Sequence, residues 1–287
     1  MASPNLLSQS DRSVQELAKT FKHDVPHRYI QEHREPTFVS NNATSLPSIP
    51  VVDMNDFINI LGSENDQLKN LRSVCQEWGI FQLVNHGVDK LLVDKMKNEV
   101  VKFFDMPVEE KLRYELKAGD YQGYGQTILH AQDQKIDWAD RFYMITNPHH
   151  RRKPNLLPEF PPSLRDTMEN YLQELQKLAM TLFGLVGQAV DIDNQEMIDV
   201  FDDGMQSVRM TYYPPCPQPD LVIGLTPHSD AAGITILLQV NGVEGLQVKR
   251  DGVWIPVNFL PDAFVVNVGD ILEVRPPPHF LKLKKKL

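Results

Sequence analysis

His228 and Asp230, in the stretch Leu225-Thr-Pro-His-Ser-Asp-Ala-Ala-Gly-Ile-Thr-Ile-Leu-Leu-Gln239, are the two side chains of this 287-residue chain best suited to act together. Residues two apart in an extended segment project to the same side, so imidazole and carboxylate converge at the mouth of the apolar strand that follows. Pro227 fits a strand start. A neutral imidazole and one carboxylate make up two parts of a 2-His-1-carboxylate triad, the donor set that holds iron(II) with coordination positions left open. The third ligand has to come from elsewhere. Alone, His-x-Asp is a weak signal, and a polar pair facing solvent at a strand end is the commoner reason for it. A zinc hydrolase on the same pair would need a third ligand and a general base, and neither is evident.

Other chemistry-bearing clusters read as structural. His86, in Asn85-His86-Gly87, sits in a strand-to-helix turn and is expected to bond local backbone. Glu109 and Glu110 are adjacent on a predicted helix start and therefore do not face each other. Residues 119–125 carry three glycines and read as a loop, without the strand-loop-helix setting of a phosphate cradle. His149-His-Arg-Arg-Lys153 reads as a solvated loop whose cations would repel a metal.

The elements that must position the pair follow from periodicity. Ser13-Val-Gln-Glu16 is a capping box opening a helix through Phe21. Residues 35–47 read as a connector and residues 49–53 as a short strand. Leu68, Leu71, Cys75 and Trp78 follow helical spacing up to Gly79, and residues 80–84 form a strand. A helix over 89–104 and a turn opened by Pro107 come next. Residues 138–146 are strand-like. Ser163-Leu-Arg-Asp166 is predicted to cap the longest helix, whose apolar stripe from Met168 to Val186 backs a sheet. A short helix is expected over 195–201. Beyond Gln206 the texture changes to short strands, with Asp251-Gly252 signalling a type I′ hairpin and residues 264–268 a strand ending at Gly269-Asp270.

Net charge of -9 and 23% charged residues leave no basic stripe for a nucleic-acid backbone, so nucleic acid is excluded as a partner. No apolar run approaches a membrane span, and the opening Met-Ala-Ser-Pro-Asn-Leu-Leu-Ser-Gln lacks the pattern of a secretory signal. Two cysteines, Cys75 and Cys216, cannot form a disulfide framework. The expectation is a cytoplasmic monomer acting on a small molecule.

Four further stretches surround the pair: Arg209-Met-Thr-Tyr-Tyr-Pro-Pro-Cys-Pro-Gln-Pro219, Gly245-Leu-Gln-Val-Lys-Arg-Asp-Gly-Val-Trp-Ile-Pro-Val257, Ala263-Phe-Val-Val-Asn-Val-Gly-Asp-Ile-Leu272 and Trp78-Gly-Ile-Phe-Gln-Leu-Val-Asn-His-Gly-Val88. With His228 and Asp230 they resemble the plant 2-oxoglutarate/iron(II)-dependent dioxygenases. Asp137-Trp-Ala-Asp140 and the Tyr-Tyr-Pro-Pro-Cys-Pro run resemble the senescence-related and codeine/thebaine O-demethylase branch. The resemblance implies an α+β chain with a mainly β core: a double-stranded β-helix, or jelly roll, C-terminally incomplete, with an N-terminal α/β portion and a long backing helix. It divides the chain into an extension and connector (1–47), an N-terminal dioxygenase domain (48–160), a partial jelly-roll domain (161–274) and a Pro/Lys-rich tail (275–287).

The same resemblance implies His228 and Asp230 as ligands of iron(II), 2-oxoglutarate as co-substrate and ascorbate as reductant. Tyr213 occupies a position whose hydroxyl helps hold 2-oxoglutarate. Thr211 stands where the family commonly has asparagine. The reaction implied is oxidative decarboxylation of 2-oxoglutarate to succinate, coupled to hydroxylation of a small aromatic or alkaloid-like substrate. A hydroxylated O-methyl group collapses to formaldehyde and an alcohol.

After Val274 the pattern breaks. Three consecutive prolines, Pro276 to Pro278, cannot donate to a strand ladder. Lys284 falls near the place of the distal histidine, and neither His279 nor Arg275 fits as a substitute ligand or carboxylate clamp. The expectation is impaired turnover, or an inactive binding or regulatory fragment.

Overall fold

The computed structural model describes residues 13–20, 24–31, 46–57, 66–117, 119–126, 135–157, 160–192 and 204–273. The predicted helix over 195–201, Phe21, most of the connector over 35–47 and the tail beyond Glu273 lie outside them. Two compact units interleave along the chain, one of residues 1–36, 99–166 and 205–226, the other of residues 37–98, 167–204 and 227–287.

The first unit is built on a three-stranded antiparallel sheet. Helix α1 (Val14–Thr20) begins where the capping box placed it, with Ser13 Oγ accepting the Glu16 N–H at 3.3 Å. The three strands β3 (Gly123–Gly125), β4 (Asp140–Asn147) and β5 (Gln206–Tyr212) follow in that order across the sheet. The loop expected over 119–125 is therefore corrected in part, because Gly123 pairs with Tyr143 and Gly125 with Arg141. The reason is steric. Both glycines have φ near +145° (143° and 147°), and a Cβ at Gly123 would lie 2.7 Å from the Tyr114 carbonyl oxygen. Phe103, Tyr114, Tyr124, Phe142 and Phe160 fill the interior with edge-on and tilted ring contacts. Val14, Leu17, Tyr29 and Trp138 form a second cluster beneath α1.

The second unit carries a four-stranded sheet of β1 (Val51–Asp53), β2 (Ile80–Val84), β9 (Phe264–Val268) and β6 (Ile234–Leu237), in that order. Strands β1 and β2 are parallel, while β9 runs antiparallel to both of its neighbours. Strand β9 is buried at all five positions, which explains its nearly unbroken apolar sequence. Helix α2 (Asp66–Glu77) stops at Gly79, whose φ of +61° permits its N–H to reach back to the Val74 carbonyl at 3.2 Å. Strands β7 (Gln247–Arg250) and β8 (Val253–Pro256) form the predicted hairpin, with positive φ at both Asp251 (49°) and Gly252 (81°).

Helices α3 (Lys90–Asp105) and α4 (Pro162–Ala189) each contribute to both units. The cap predicted at Ser163 is corrected. The helix opens at Pro162, a residue whose fixed φ and missing N–H suit a first turn, and Ser163 Oγ donates instead to Glu99 Oε1 at 2.9 Å.

Candidate functional site

The loop that carries His228 and Asp230 is fastened by the end of the buried strand beside it. Strands β6 and β9 pair Ile234 with Val268 and Thr235 with Asn267, bringing the turn after β9 against residues 230–233. The Gly269 N–H donates to the Gly233 carbonyl and the Asp270 N–H to the Asp230 carbonyl, both at 2.8 Å. Ser229 Oγ donates to Asp270 Oδ2 at 2.9 Å. Gly269 is the only residue type that fits this approach: a Cβ there would stand 2.1 Å from the Ala232 carbonyl oxygen and 2.8 Å from that of Asp230.

Residues 228–230 are not part of a strand, so the anticipated alternation is not what brings the side chains together. They converge from an irregular loop, with His228 Nε2 3.4 Å from Asp230 Oδ1. The Asp230 side chain is 15% exposed and that of His228 36%. Asn267 Nδ2 donates to Asp230 Oδ2 at 3.0 Å, which leaves Oδ1 directed at the imidazole. Asn267 Oδ1 is buried without a hydrogen-bond partner.

This arrangement fits two neighbouring coordination positions of one cation. Donor atoms 3.4 Å apart can each lie about 2.1 Å from a common ion, and an outer amide holding the second carboxylate oxygen is the usual support of such a ligand. Among the described residues, no group of three His, Cys, Asp or Glu side chains could hold a metal. Arg275, His279 and Lys284 lie outside the described residues.

Tyr213 and Thr211 belong to the first unit. Thr211 pairs with Arg141 across β5 and β4. The Tyr213 ring rests on Gly224, where a Cβ would come within 2.8 Å of Tyr213 Cδ1. Tyr213 is 48% exposed as a residue, yet desolvation raises the pKa of its phenol above the ordinary value, so the hydroxyl is a proton donor at neutral pH.

The Asp137-Trp-Ala-Asp140 stretch supplies fastenings that spacing alone did not reveal. Asp137 Oδ1 accepts from the Thr226 N–H (3.0 Å) and hydroxyl (2.6 Å), two residues before His228. Trp138 Nε1 donates to the Pro214 carbonyl at 3.0 Å, next to Tyr213. Asp140 is fully buried and accepts from Ser13 Oγ, from the Val14 and Gln15 N–H groups that open α1, and from the Tyr124 hydroxyl. Asn267 and Gly269 had also been read only as strand and turn. An amide inside Phe-Val-Val-Asn-Val was the available signal, since a buried polar residue in a central strand needs a purpose.

The rejected candidates behave as expected. His86 Nδ1 accepts the Val88 N–H at 3.2 Å, and Nε2 lies 3.0 Å from the Asp262 carbonyl. Burial lowers its pKa, keeping the ring neutral. Glu109, Glu110, His149 and His150 are exposed.

Comparison with known proteins decides the family. The family described as non-haem dioxygenase in morphine synthesis N-terminal matches residues 49–160, and the 2OG-Fe(II) oxygenase superfamily matches residues 204–281. The chain belongs to the 2-oxoglutarate- and iron(II)-dependent oxygenases. Within these oxygenases it is 49% identical over 271 residues to thebaine 6-O-demethylase of Papaver somniferum, covering 91% of this chain and 74% of that one. It is 46% identical over 265 residues to oxoglutarate-dependent flavonoid 7-O-demethylase 1 of Ocimum basilicum, covering 91% and 69%. The crystal structure of JOX2 in complex with 2OG, Fe and JA superposes with a TM-score of 0.80 at 32% identity, over 96% of this chain and 77% of that one. The fold is accordingly the oxygenase jelly roll, and the family's metal and co-substrate are iron(II) and 2-oxoglutarate. No helix among the described residues is long and apolar enough to cross a membrane.

Proposed function

We propose that this oxygenase hydroxylates or O-demethylates a small aromatic or alkaloid-like molecule, with His228 and Asp230 as two of its iron ligands. The observation that carries the reading is the 3.4 Å approach of His228 Nε2 to Asp230 Oδ1, with the other carboxylate oxygen held by Asn267. Bound iron(II) would supply the centre at which 2-oxoglutarate and dioxygen react. The remaining work falls to the protein. His228 presents the lone pair of a neutral Nε2, which requires its proton on Nδ1. The Asn267 amide fixes which oxygen Asp230 presents, and the Gly269 turn fixes the loop. Tyr213 donates its hydroxyl to a carboxylate of 2-oxoglutarate, with Thr211 as its hydrogen-bonded neighbour. Ascorbate serves as reductant. Two free cysteines, one buried, favour a reducing cytoplasm, and the protein acts as a monomer.

A second reading is a catalytically inactive binding or regulatory form. It is favoured by the sequence after Val274, where Pro276, Pro277 and Pro278 interrupt any ladder and Lys284 stands near the expected distal histidine. A lysine in place of that histidine would remove a neutral ligand from the set and weaken the hold on the metal. Succinate release by purified protein supplied with iron(II), 2-oxoglutarate, ascorbate and oxygen separates the two. Sustained release abolished by His228→Ala supports the enzyme. Absence of release from a folded chain, whatever the iron supply, supports the inactive form.

A further inference from the structure

Residues 239–245 lie between β6 and β7 and contain the one Asn-Gly dipeptide of the sequence, Asn241-Gly242. An asparagine side chain carries an electrophile, the amide carbon Cγ, within reach of the backbone nitrogen of the next residue. When that nitrogen belongs to glycine, no Cβ shields it. Every other asparagine in the chain is followed by a larger residue.

The local structure leaves this pair open to reaction. Asn241, Gly242, Val243 and Glu244 are all exposed. Gly242 has φ of +70°, and a Cβ built there would meet nothing within 4 Å. Among the described residues its N–H has no hydrogen-bond acceptor, so the nitrogen is not engaged in a ladder or a turn. The Asn241 side chain is held at its carbonyl end instead, where Oδ1 accepts the Val243 N–H at 3.2 Å. That N–H polarises Cγ and remains on the oxygen as negative charge develops there. Gln239 Nε2 donates to the Val243 carbonyl at 3.0 Å and steadies the turn.

We propose that Asn241 is a site of covalent modification, converting through a succinimide to aspartate and isoaspartate. Hydroxide removes the Gly242 amide proton, and the nitrogen lone pair forms a bond to Cγ of Asn241. The Cγ–Nδ2 bond breaks, and ammonia leaves with a proton taken from water. Water then adds to either carbonyl of the five-membered ring. Opening at the side-chain carbonyl gives aspartate, and opening at the backbone carbonyl gives isoaspartate, in which the main chain runs through the side chain. No oxidant or reductant takes part. Both products add a carboxylate near Glu244, and isoaspartate also lengthens the backbone by a methylene, displacing the Val243 carbonyl that Gln239 holds. The inference is independent of the oxygenase reading.

The full chain, without added metal, would be incubated in mildly alkaline buffer and followed by peptide mass mapping, with protein isoaspartate methyltransferase as a second readout. The expected result is a gain of about one dalton in the peptide carrying Asn241, ahead of every other asparagine peptide. Gly242→Ala is expected to slow that gain at least about tenfold, and Asn241→Gln to remove it. Repeating the incubation in urea separates the turn from the dipeptide, and the folded chain is expected to react within about tenfold of the unfolded rate. Greater protection of Asn241 by folding overturns the proposal, as does earlier conversion of another asparagine or a rate indifferent to Gly242→Ala.

Discussion

Asp140 in the first unit and Asp230 in the second are both carboxylates held by hydrogen bonds, but their surroundings fit them for opposite tasks. Asp140 is 0% exposed and accepts four hydrogen bonds, two of them from the backbone N–H groups that open α1. Its oxygens are saturated by the fold. Asp230 sits in a loop, with one oxygen on Asn267 and the other turned toward an imidazole 3.4 Å away. A carboxylate ringed by buried donors stabilises structure, whereas one set in a loop beside an imidazole is placed to serve as a ligand. The sequence neighbourhoods, Trp-Ala-Asp and His-Ser-Asp, do not announce that difference.

The largest effect expected is on Asp140. Asp140→Ala strands a hydroxyl, a phenol and two helix-opening N–H groups in the interior, and should cost about 3–5 kcal/mol in chemical denaturation. A loss below about 1 kcal/mol would mean that α1 is not anchored by this carboxylate. Gly269→Ala comes next. Its Cβ would collide with the Ala232 carbonyl oxygen, so a loss of about 1–3 kcal/mol and a disturbed His228/Asp230 pair are expected together, read by denaturation and iron binding on the same preparation. Asn267→Ala sharpens the contrast from the other side, weakening iron about 10–100-fold with little change in stability. Equal damage to both would make Asn267 a structural residue like those around Asp140.

Much of this was legible beforehand. The β7-β8 turn followed from Asp251-Gly252, and the end of α2 from Gly79, because each position demands a backbone conformation that few residues accept. The His228/Asp230 pairing was also readable, though for a partly mistaken reason, since a loop and not a strand brings the side chains together. Asn267, Gly269, Asp137 and Asp140 were not assigned roles. Each acts across sequence separations of 36 to 127 residues, as in Asp140 with Ser13 or Asn267 with Asp230, and local periodicity carries no record of such contacts.

An effect confined to alkaline pH concerns a buried thiol. Desolvation alone raises the Cys75 thiol from 9.0 to about 12. The folded state therefore favours the neutral thiol, and its contribution is intact below pH 9 and lost as pH climbs toward 12. Urea denaturation in this range should show stability falling by up to about 1.4 kcal/mol per pH unit from this thiol, a component missing in Cys75→Ala. Identical slopes in both proteins would remove Cys75 from the alkaline response.

Equilibrium dialysis against iron(II) under anaerobic conditions, comparing wild type with His228→Ala, tests the metal assignment most directly. Wild-type protein should retain iron in a single site, and His228→Ala should lose it at least about tenfold while denaturing at the same urea concentration. Iron retained equally by a folded His228→Ala protein would contradict the assignment of this pair to the metal.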